Sequence, residues 1–385
     1  MNDKIKNAIK ACLSINTYSN ASFYSKIGNE NRLQLEPLIK ELSTQDYFED
    51  IKPLKELQKK AKGSLGSYST FDVNWSNAHI YGIWQGIFGE ENLPKLLQLP
   101  AVEHGLIFHE DVFTDLRTTA RHACVTFSDF RKNIIRSKLK RPVFCVGPYT
   151  HYCQGFYTKE KLAEYKSKLG RTLLVFPTHS TDTSELSIDQ KYFLDNLSRM
   201  AKDFDSVLVN TFWWNINDPL TERLESEGYH IISGGFRDDP MFLQRLKSYI
   251  QLSDLVVGDS VGTHIGYCID AGVPFSYQDA GTSVRLLKKE EIKDQDTKWK
   301  RHDEIRKVFE NQKTITSEQI DICNRYWGLN QTRSVEEIKC IAEISEELTN
   351  LDHGFTGLAD MNAKKLLKKY KDTDQMKYEL MKKAL

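Results

Sequence analysis

Long hydrophobic runs and a net charge are both missing from this sequence of 385 residues. No apolar stretch approaches the roughly 20 residues that cross a bilayer, and residues 1–20 lack the apolar segment of a signal peptide. The 53 basic residues balance 53 acidic ones, so overall charge does not favour binding to nucleic acid. These absences predict a cytoplasmic protein without a nucleic-acid partner.

Residues with the spacing of a metal or redox site are also missing. The seven cysteines are scattered and odd in number, and no pair has Cys-x-x-Cys spacing, which is typical of reduced thiols used in packing. No convincing Asp-x-Asp motif is present, and the side chains of the adjacent Asp238 and Asp239 need not converge. His104, His109 and Glu110 are poorly spaced for ligands on a helix. We therefore expect no cofactor and no bound metal.

The composition predicts a folded protein with two domains. Hydrophobic residues make up 40% of the chain and aromatic residues 11%, which is enough for real cores rather than disorder. A chain of this length is usually divided between two domains. We predict a helical N-terminal segment of the first domain (1–77), the rest of that α/β domain (78–165), a second α/β domain (166–285) and a charged helical C-terminal region (286–385).

The second domain has the clearer alternation of strands and helices. The intervening stretches have the length and the apolar spacing of helices. Strands separated by such helices are typical of a parallel, doubly wound sheet. Shorter apolar segments in the first domain fit the same α/β class. The predicted strands of the second domain are 171–177, 206–214, 230–235, 255–260 and one that begins at 273.

Polar and aromatic clusters follow four of these strands. Ligands of doubly wound sheets bind at the carboxyl ends of the strands, so the clusters are predicted to line one edge. Two histidines, an arginine and two turns of small polar residues favour a phosphate-containing ligand there. The clusters are Thr178 to Thr181, Trp213 with Trp214, Gly234 to Arg237, and Asp259 to His264.

The last of these clusters is a tight turn between a strand and a helix. The free N–H groups and the dipole of a helix N-terminus favour an anion. Gly262 allows a close approach to the backbone, and Ser260 and Thr263 add hydroxyl donors. The alternative interpretation is an ordinary turn in which the serine only caps its helix.

Residues 78–285 resemble the GT-B architecture of glycosyltransferases. The likeness is carried by VEHGLIF, RPVFCVGPYTHY, RTLLVFPTHST and SDLVVGDSVGTHIGYCIDAGVP. These segments are similar to bacterial enzymes that build capsule and lipopolysaccharide chains, including CMP-sugar-dependent enzymes and CDP-glycerol polymerases. In those groups a His-Pro-type motif and a later Ser/Thr-rich turn hold the donor phosphate. Here the proline precedes His179, and the turn reads Asp-Ser-Val-Gly-Thr, so CMP-, CDP- and UDP-linked donors all remain open.

The resemblance implies two Rossmann-like domains that face a cleft, and transfer of a sugar or sugar acid from a nucleotide donor to a surface glycan or glycolipid. It implies that the 178–181 and 259–264 loops hold the leaving phosphate, and the lack of a convincing metal-binding motif predicts that they do so without a metal. The catalytic candidates are Glu103, His104 and His179, with Asp129 as the competing candidate for the base. The donor-binding candidates are Ser180, Thr181, Gly235, Phe236, Arg237, Asp259, Ser260, Gly262, Thr263 and His264. The acceptor-binding candidates are Ser128, Asp129, Trp213 and Trp214.

Two other functions remain open at this point. A sugar-nucleotide 2-epimerase has the same two-domain layout but needs no acceptor. A scaffold or glycan-binding protein would use the charged C-terminal region for partner contacts and would show no turnover. Residues 362–385 contain eight lysines and three acidic residues, which suits either peripheral contact with an anionic membrane or a solvated helix packed through its Leu and Met residues.

Overall fold

The structure is a computed structural model. It describes residues 37–62, 82–88, 99–112, 116–117, 119, 121–179, 184–236, 239–286, 295–352 and 356–385. These residues form two compact units. The first contains the described residues of 82–152 together with 324–385, and the second contains 38–62 with the described residues of 153–323.

The predicted α/β class is confirmed, because each unit contains a parallel sheet. The strands are β1 (Ala101–Val102), β2 (Cys124–Thr126), β3 (Val143–Cys145), β4 (Thr172–Phe176), β5 (Ser184–Ile188), β6 (Ser206–Asn210), β7 (His230–Ile232), β8 (Leu255–Gly258), β9 (Phe275–Tyr277) and β10 (Thr282–Leu286).

Helices connect the strands and make up the C-terminal region. They are α1 (Lys52–Lys62), α2 (Ile83–Phe88), α3 (Asp129–Lys138), α4 (Lys159–Leu169), α5 (Gln190–Ala201), α6 (Pro219–Ser226), α7 (Phe242–Leu252), α8 (Thr263–Asp270), α9 (Gln295–Phe309), α10 (Ser317–Tyr326), α11 (Val335–Asp352), α12 (Ala359–Thr373) and α13 (Gln375–Ala384). Among the described residues, no helix is both long and apolar enough to cross a bilayer.

The first unit is built on a three-stranded sheet in the order β1-β2-β3, with all strands parallel. The C-terminal helices join this unit through α3, where Arg136 forms an ion pair with Asp360 at 2.7 Å and donates to the Leu385 carbonyl at 2.8 Å. Gly328 allows a close backbone approach here. Its φ is +66°, and a Cβ at this position would lie 2.2 Å from the Phe127 carbonyl oxygen.

The C-terminal helices bury apolar residues while exposing most of their lysines. Leu366, Leu380 and Met381 are buried, so these helices pack through the residues that the sequence interpretation assigned to packing. Lys377 forms ion pairs with Glu343 at 2.7 Å and with Glu347 at 3.0 Å. Part of the lysine charge is therefore compensated within the unit.

The second unit is built on a five-stranded parallel sheet in the order β7-β6-β4-β8-β9. Every residue of β4 and β8 is buried, as expected for central strands covered on both faces. From β4 the chain continues to β6 and β7 on one side, and β8 and β9 lie on the other. The switch in strand order therefore falls between β4 and β8, which pair with Leu174 opposite Val256.

Residues 38–62 belong to the second unit, although the sequence interpretation placed 1–77 in the first domain. The physical reason is Arg245 on α7. Its guanidinium donates to the carbonyls of Leu42 at 2.8 Å and Gln45 at 3.0 Å. It also forms a fully buried ion pair with Asp239 at 2.7 Å. Because the buried guanidinium needs these carbonyl oxygens as acceptors, it attaches the segment to α7.

Candidate functional site

A carboxylate holds together the loops that follow β4 and β8, the two strands at the switch point. Asp259 Oδ1 accepts hydrogen bonds from the backbone N–H and the hydroxyl of Thr178, each at 2.7 Å. Asp259 is 9% exposed. The sequence interpretation made Asp259 a donor-binding residue. In the structure it positions the Thr178 loop against the β8 turn, at the edge where ligands of such sheets bind.

The turn after β8 presents the N-terminus of α8. Gly262 is the N-cap residue with an extended backbone, and as a glycine it has no side chain with which to cap the helix. Ser260 and Thr263 are both partly exposed. The N-cap is therefore Gly262 and not Ser260, so the alternative in which the serine caps the helix is wrong. The N–H groups of a helix N-terminus favour an anion.

His264 is a packed histidine behind this turn. Its ring stacks on Phe176 with centroids 5.2 Å apart and lies 5.3 Å from the ring of Phe275. Nε2 is buried without a hydrogen-bond partner in the described residues. Burial, and secondly repulsion from His179, lowers the pKa of His264 to about 4. His264 is therefore neutral near pH 7 and supplies no positive charge to a phosphate.

The lowered pKa predicts a pH-dependent stability. The ordinary pKa is 6.5 and the folded value is about 4, so the unfolded chain binds more protons between these values. The stabilisation is complete above pH 6.5 and is lost as the pH falls towards 4. We expect the free energy of unfolding to fall between pH 6.5 and 4.5 by about 2 kcal/mol more in the natural chain than in His264→Phe.

Urea denaturation at the two pH values measures this difference. His302, whose pKa is lowered to about 3 mainly by burial and then by Lys298 and Arg306, adds to the pH dependence in both chains and so cancels in the comparison. An equal loss of stability in the natural chain and in His264→Phe would show that His264 is not buried in its neutral form.

His179 is the exposed histidine at this edge. Its ring stacks on Phe212, with centroids 4.2 Å apart and planes inclined by 24°. It is close enough to His264 to lower the pKa of that residue. The geometry therefore puts an exposed imidazole beside the turn at the start of α8. The neighbouring candidates Ser180, Thr181 and Arg237 lie outside the described residues.

Four other predicted contact residues of the second unit pack among themselves or against the core. Phe236 is buried edge-on against Trp213, with centroids 4.9 Å apart. Trp213 in turn contacts Trp214 at 5.2 Å. Gly235 has a φ of +102°, and a Cβ there would lie 2.8 Å from the ring of Tyr47. Trp213, Gly235 and Phe236 are therefore packing residues, and Trp214 is half-buried beside them.

In the first unit, the predicted base Glu103 lies in the interior. Its Oε1 accepts from Arg131 Nε at 2.9 Å and Nη2 at 2.6 Å, its Oε2 accepts from the Thr126 hydroxyl, and the side chains of the ion pair are fully buried. Arg131 also donates to the His109 carbonyl at 2.8 Å. This network makes Glu103 a structural residue rather than the predicted catalytic base.

The same network gives a stability prediction. We expect Glu103→Gln to lower the free energy of unfolding by about 3 kcal/mol, because it leaves the Arg131 guanidinium buried without a counter-charge. Urea denaturation measures the change. The exposed Asp372→Asn on α12 is the control and should stay within about 0.5 kcal/mol of the natural chain. A Glu103→Gln variant as stable as this control would contradict the buried pair.

The other candidates of the first unit differ in accessibility. Ser128 is buried and donates its hydroxyl to the Tyr326 carbonyl at 2.8 Å, so it is a structural residue as well. Asp129, the first residue of α3, is exposed. Burial works against its ionisation, but the hydrogen bond and charge of Lys132 prevail and lower its pKa, which makes it a weak base. His104 is partly exposed and is the remaining catalytic candidate of this unit.

A pocket of about 200 Å³ opens beside His179. The sequence interpretation missed most of its residues. They belong to the segment after β6, where the polar pattern Asn-x-Asn-Asp-Pro precedes α6 and was the available signal. The lining residues that carry polar or aromatic groups are Thr178, His179, Gln190, Thr211, Phe212, Asn215, Asp218 and Thr221.

Comparison with known proteins gives similar solved structures and no family. No protein-family model and no curated protein sequence matches this chain. The structure of the wall teichoic acid polymerase TagF is similar, with 14% identity and a TM-score of 0.34, over 59% of this chain and 57% of that one. Apo UGT2 of Phytolacca americana is similar with 10% identity and a TM-score of 0.25, over 70% and 56% of the two chains. The chain spans less than two thirds of either structure.

Proposed function

We propose that this chain is a cytoplasmic glycosyltransferase, which moves a sugar or sugar acid from a nucleotide-activated donor to a surface-polysaccharide acceptor. One observation carries the proposal. Asp259 fixes the loop of Thr178 and His179 against the turn before α8, whose N-cap is Gly262, at the switch point of a parallel sheet. This arrangement combines an anion site with an exposed imidazole, which are the two groups that a departing phosphate requires.

The proposed reaction breaks the bond between the anomeric carbon of the donor and its phosphate oxygen. The charge that grows on the phosphate is stabilised by the N–H groups of α8 and by the hydroxyls of Ser260 and Thr263. His179 donates a hydrogen bond or a proton to the same phosphate. The acceptor oxygen bonds to the anomeric carbon and gives up its proton to a general base. Expected further donor contacts are Ser180, Thr181 and Arg237.

Nucleotide release from activated sugars tests the proposal. CMP-, CDP- and UDP-linked sugars are each incubated with the chain, with and without a mixture of free and lipid-linked glycans. We expect release that depends on the glycans, and we expect Ser260→Ala to slow it by about 10²-fold, as for loss of one preorganised donor. Ser226→Ala is the control, since this exposed hydroxyl lies at the far end of α6 and donates to the Arg223 carbonyl.

Two outcomes would replace the proposal. Isomerisation of a donor sugar without any glycan would indicate a sugar-nucleotide 2-epimerase. Absence of turnover with every donor, together with unchanged glycan binding in His179→Ala, would indicate a scaffold or glycan-binding protein.

Peripheral membrane contact through the Lys-rich C-terminal helices is a separate part of the proposal. It is supported by the lysines of α12 and α13 that stay exposed, such as Lys368 and Lys382. Sedimentation with vesicles that contain about one third anionic lipid tests it. Binding that falls with added salt supports the contact, because surface attraction is screened within a Debye length. Equal sedimentation with neutral vesicles would contradict it.

A further inference from the structure

The helix α9 carries a row of basic residues and ends beside the carboxyl end of β9. Lys298, His302 and Arg306 follow one another at intervals of four residues, so they lie on one stripe of the helix. Just after α9, Glu310 forms a bridge with Tyr277, the last residue of β9. The guanidinium of Arg306 lies 5.3 Å from the ring centroid of Tyr277. The stripe therefore reaches the edge of the sheet where the α8 turn lies.

Tyr277 connects this stripe to the loops of the candidate site. Burial raises the pKa of its phenol, the charge of Arg306 lowers it, and the carboxylates of Asp279 and Asp259 raise it again. Asp259, which holds the Thr178 loop, is therefore close to the same phenol as Arg306. The strands β8 and β9 are paired neighbours in the sheet. The start of α8 and the Arg306 guanidinium accordingly lie at the ends of two adjacent strands.

The stripe is a partly buried face rather than a solvated one. His302 is buried, and Lys298 and Arg306 are each partly buried. Burial lowers the pKa of Lys298. Burial, followed by repulsion from Lys298 and Arg306, lowers the pKa of His302 to about 3, so both cations lie near this ring. Withdrawing cations from water without a counter-charge is unfavourable, and the stripe therefore favours an anion.

Donors on the stripe remain after the contacts inside the chain have been made. Lys298 forms no ion pair within the part of the chain that the structure describes, and its ammonium lies 5.1 Å from the ring centroid of Trp299. Arg306 Nε is buried without a hydrogen-bond partner among the described residues. Arg306 Nη1 lies 3.5 Å from Asp303, whose side chain is 59% exposed, so this ion pair is weak. Because buried donors are nearly always paired, the stripe calls for a ligand with acceptor oxygens.

A phosphoryl group fits these donors better than a carboxylate. Lys298 and Arg306 are separated by two turns of the helix, or about 12 Å along its axis, although both charges act on His302 between them. A group that bonds to both must present oxygens in more than one direction. A phosphate has three free oxygens and up to two negative charges, whereas a carboxylate has two oxygens in one plane. Arginine and lysine are also the usual partners of phosphate in proteins.

We propose that Lys298 and Arg306 bind a phosphoryl group at the carboxyl end of β9, next to the phosphate site at the start of α8. The inference deepens the proposed function and rests on it only for the source of the phosphate. The second phosphate of a nucleoside diphosphate donor and a separate phosphate, such as one carried by the acceptor, have the same chemistry. With the first source, the donor is CDP- or UDP-linked rather than CMP-linked.

Titration of the full chain followed by ³¹P NMR tests this inference, because each phosphate of a ligand gives its own signal. The probes are CMP against CDP, UMP against UDP, and inorganic phosphate with and without CMP. We expect Lys298→Gln and Arg306→Gln each to weaken the binding of CDP and UDP, or of inorganic phosphate beside CMP, about tenfold, as for loss of a hydrogen bond to a charged group. The binding of CMP and UMP should stay unchanged.

Lys300→Gln is the matched control, because it removes the same charge from an exposed position of the same helix. It should leave every affinity unchanged. Arg306→Lys should keep part of the affinity, since it keeps the charge and loses only the planar group. Urea denaturation of Lys298→Gln should show no loss of stability, because the substitution removes a partly buried cation that lacks a counter-charge. A role for Lys298 in packing alone would lower the stability and leave the phosphate affinities unchanged.

The arms of the experiment separate the two sources of the phosphate and the two proposals. Tighter binding of the diphosphates than of the monophosphates, lost in both variants, identifies the donor. Inorganic phosphate that binds beside CMP and is lost in both variants, without a preference for diphosphates, identifies a separate phosphate. Phosphate binding that depends on Lys298 and Arg306, without binding of any nucleotide, would sink the proposed function alone. Nucleotide binding that depends on Ser260, with every affinity unchanged in Lys298→Gln and Arg306→Gln, overturns the present inference alone.

Discussion

Replacing His179 with alanine is expected to lower turnover by about 10²–10⁴-fold, the range for removal of a positioned acid or base. The imidazole is exposed, stacks on Phe212 and stands beside the α8 turn. Its removal should therefore change the chemistry and leave the free energy of unfolding within about 0.5 kcal/mol of the natural value. Nucleotide release with donor and acceptor present measures the first quantity, and urea denaturation measures the second.

His151→Ala is the control for this prediction, because His151 is an exposed histidine in the first unit. It should retain the natural turnover. His179→Gln should recover part of the lost rate, since its amide donates a hydrogen bond but transfers no proton. A His179→Ala chain with more than half of the natural turnover would remove His179 from the mechanism.

Replacing Arg245 with leucine is expected to lower the free energy of unfolding by about 3–5 kcal/mol, the cost of breaking a buried ion pair on one side. Asp239 would stay in the core without its counter-charge, and the carbonyls of Leu42 and Gln45 would lose their donor. The guanidinium also lies 4.6 Å from the ring centroid of Tyr47. Urea denaturation of the full chain measures the change.

The double variant Arg245→Leu with Asp239→Leu separates the ion pair from the packing. It should be clearly more stable than Arg245→Leu alone, because it leaves no uncompensated charge. Lys191→Ala breaks the exposed pair with Asp195 and should change the stability by less than about 1 kcal/mol. If Arg245→Leu were no more damaging than Lys191→Ala, the attachment of residues 38–62 to α7 would have another cause.

The second sheet was predictable because its central strands are continuous apolar runs. The segments that become β4 and β8 are buried along their whole length, so their hydrophobicity alone marks them. The helix that starts at Pro219 was also predictable, since Asp218 and Pro219 are a typical helix beginning. In both cases the local sequence pattern and the packing of the folded chain favour the same element.

Local sequence patterns gave wrong predictions where contacts with residues distant in the sequence determine the conformation. The segment 206–214 looks like one long strand, but β6 ends at Asn210 and Trp213 lies in a short 3₁₀ turn packed on Phe236. Ser187 and Gln190 have the spacing of a capping box, which would make Ser187 the cap of α5. In the structure Ser187 lies in β5 and pairs with Ser283 of β10. The cap is Asp189, which accepts from the Tyr192 N–H at 3.0 Å.

The sequence predicted which loops lie at the edge of the second sheet. It did not predict which candidate residues are structural. The rule that ligands bind at strand ends correctly brought Thr178 and Asp259 together. The role of Glu103 depends on Arg131, 28 positions along the chain, and such a long-range pair leaves no local pattern. Asn215 and Asp218, which line the pocket beside His179, were missed because polar residues before a helix are common.

The most direct test of the central claim is the stability of the chain with added CMP, CDP, UDP or GDP, compared with no nucleotide. A ligand that binds only the folded state adds about 2.7 kcal/mol at a hundredfold excess over its Kd. We predict a clear stabilisation by one of these nucleotides, lost in Ser260→Ala with Thr263→Val and kept in Ser226→Ala. An unchanged stability with every nucleotide, or a stabilisation that survives in the Ser260 and Thr263 double variant, would contradict a phosphate site at the start of α8.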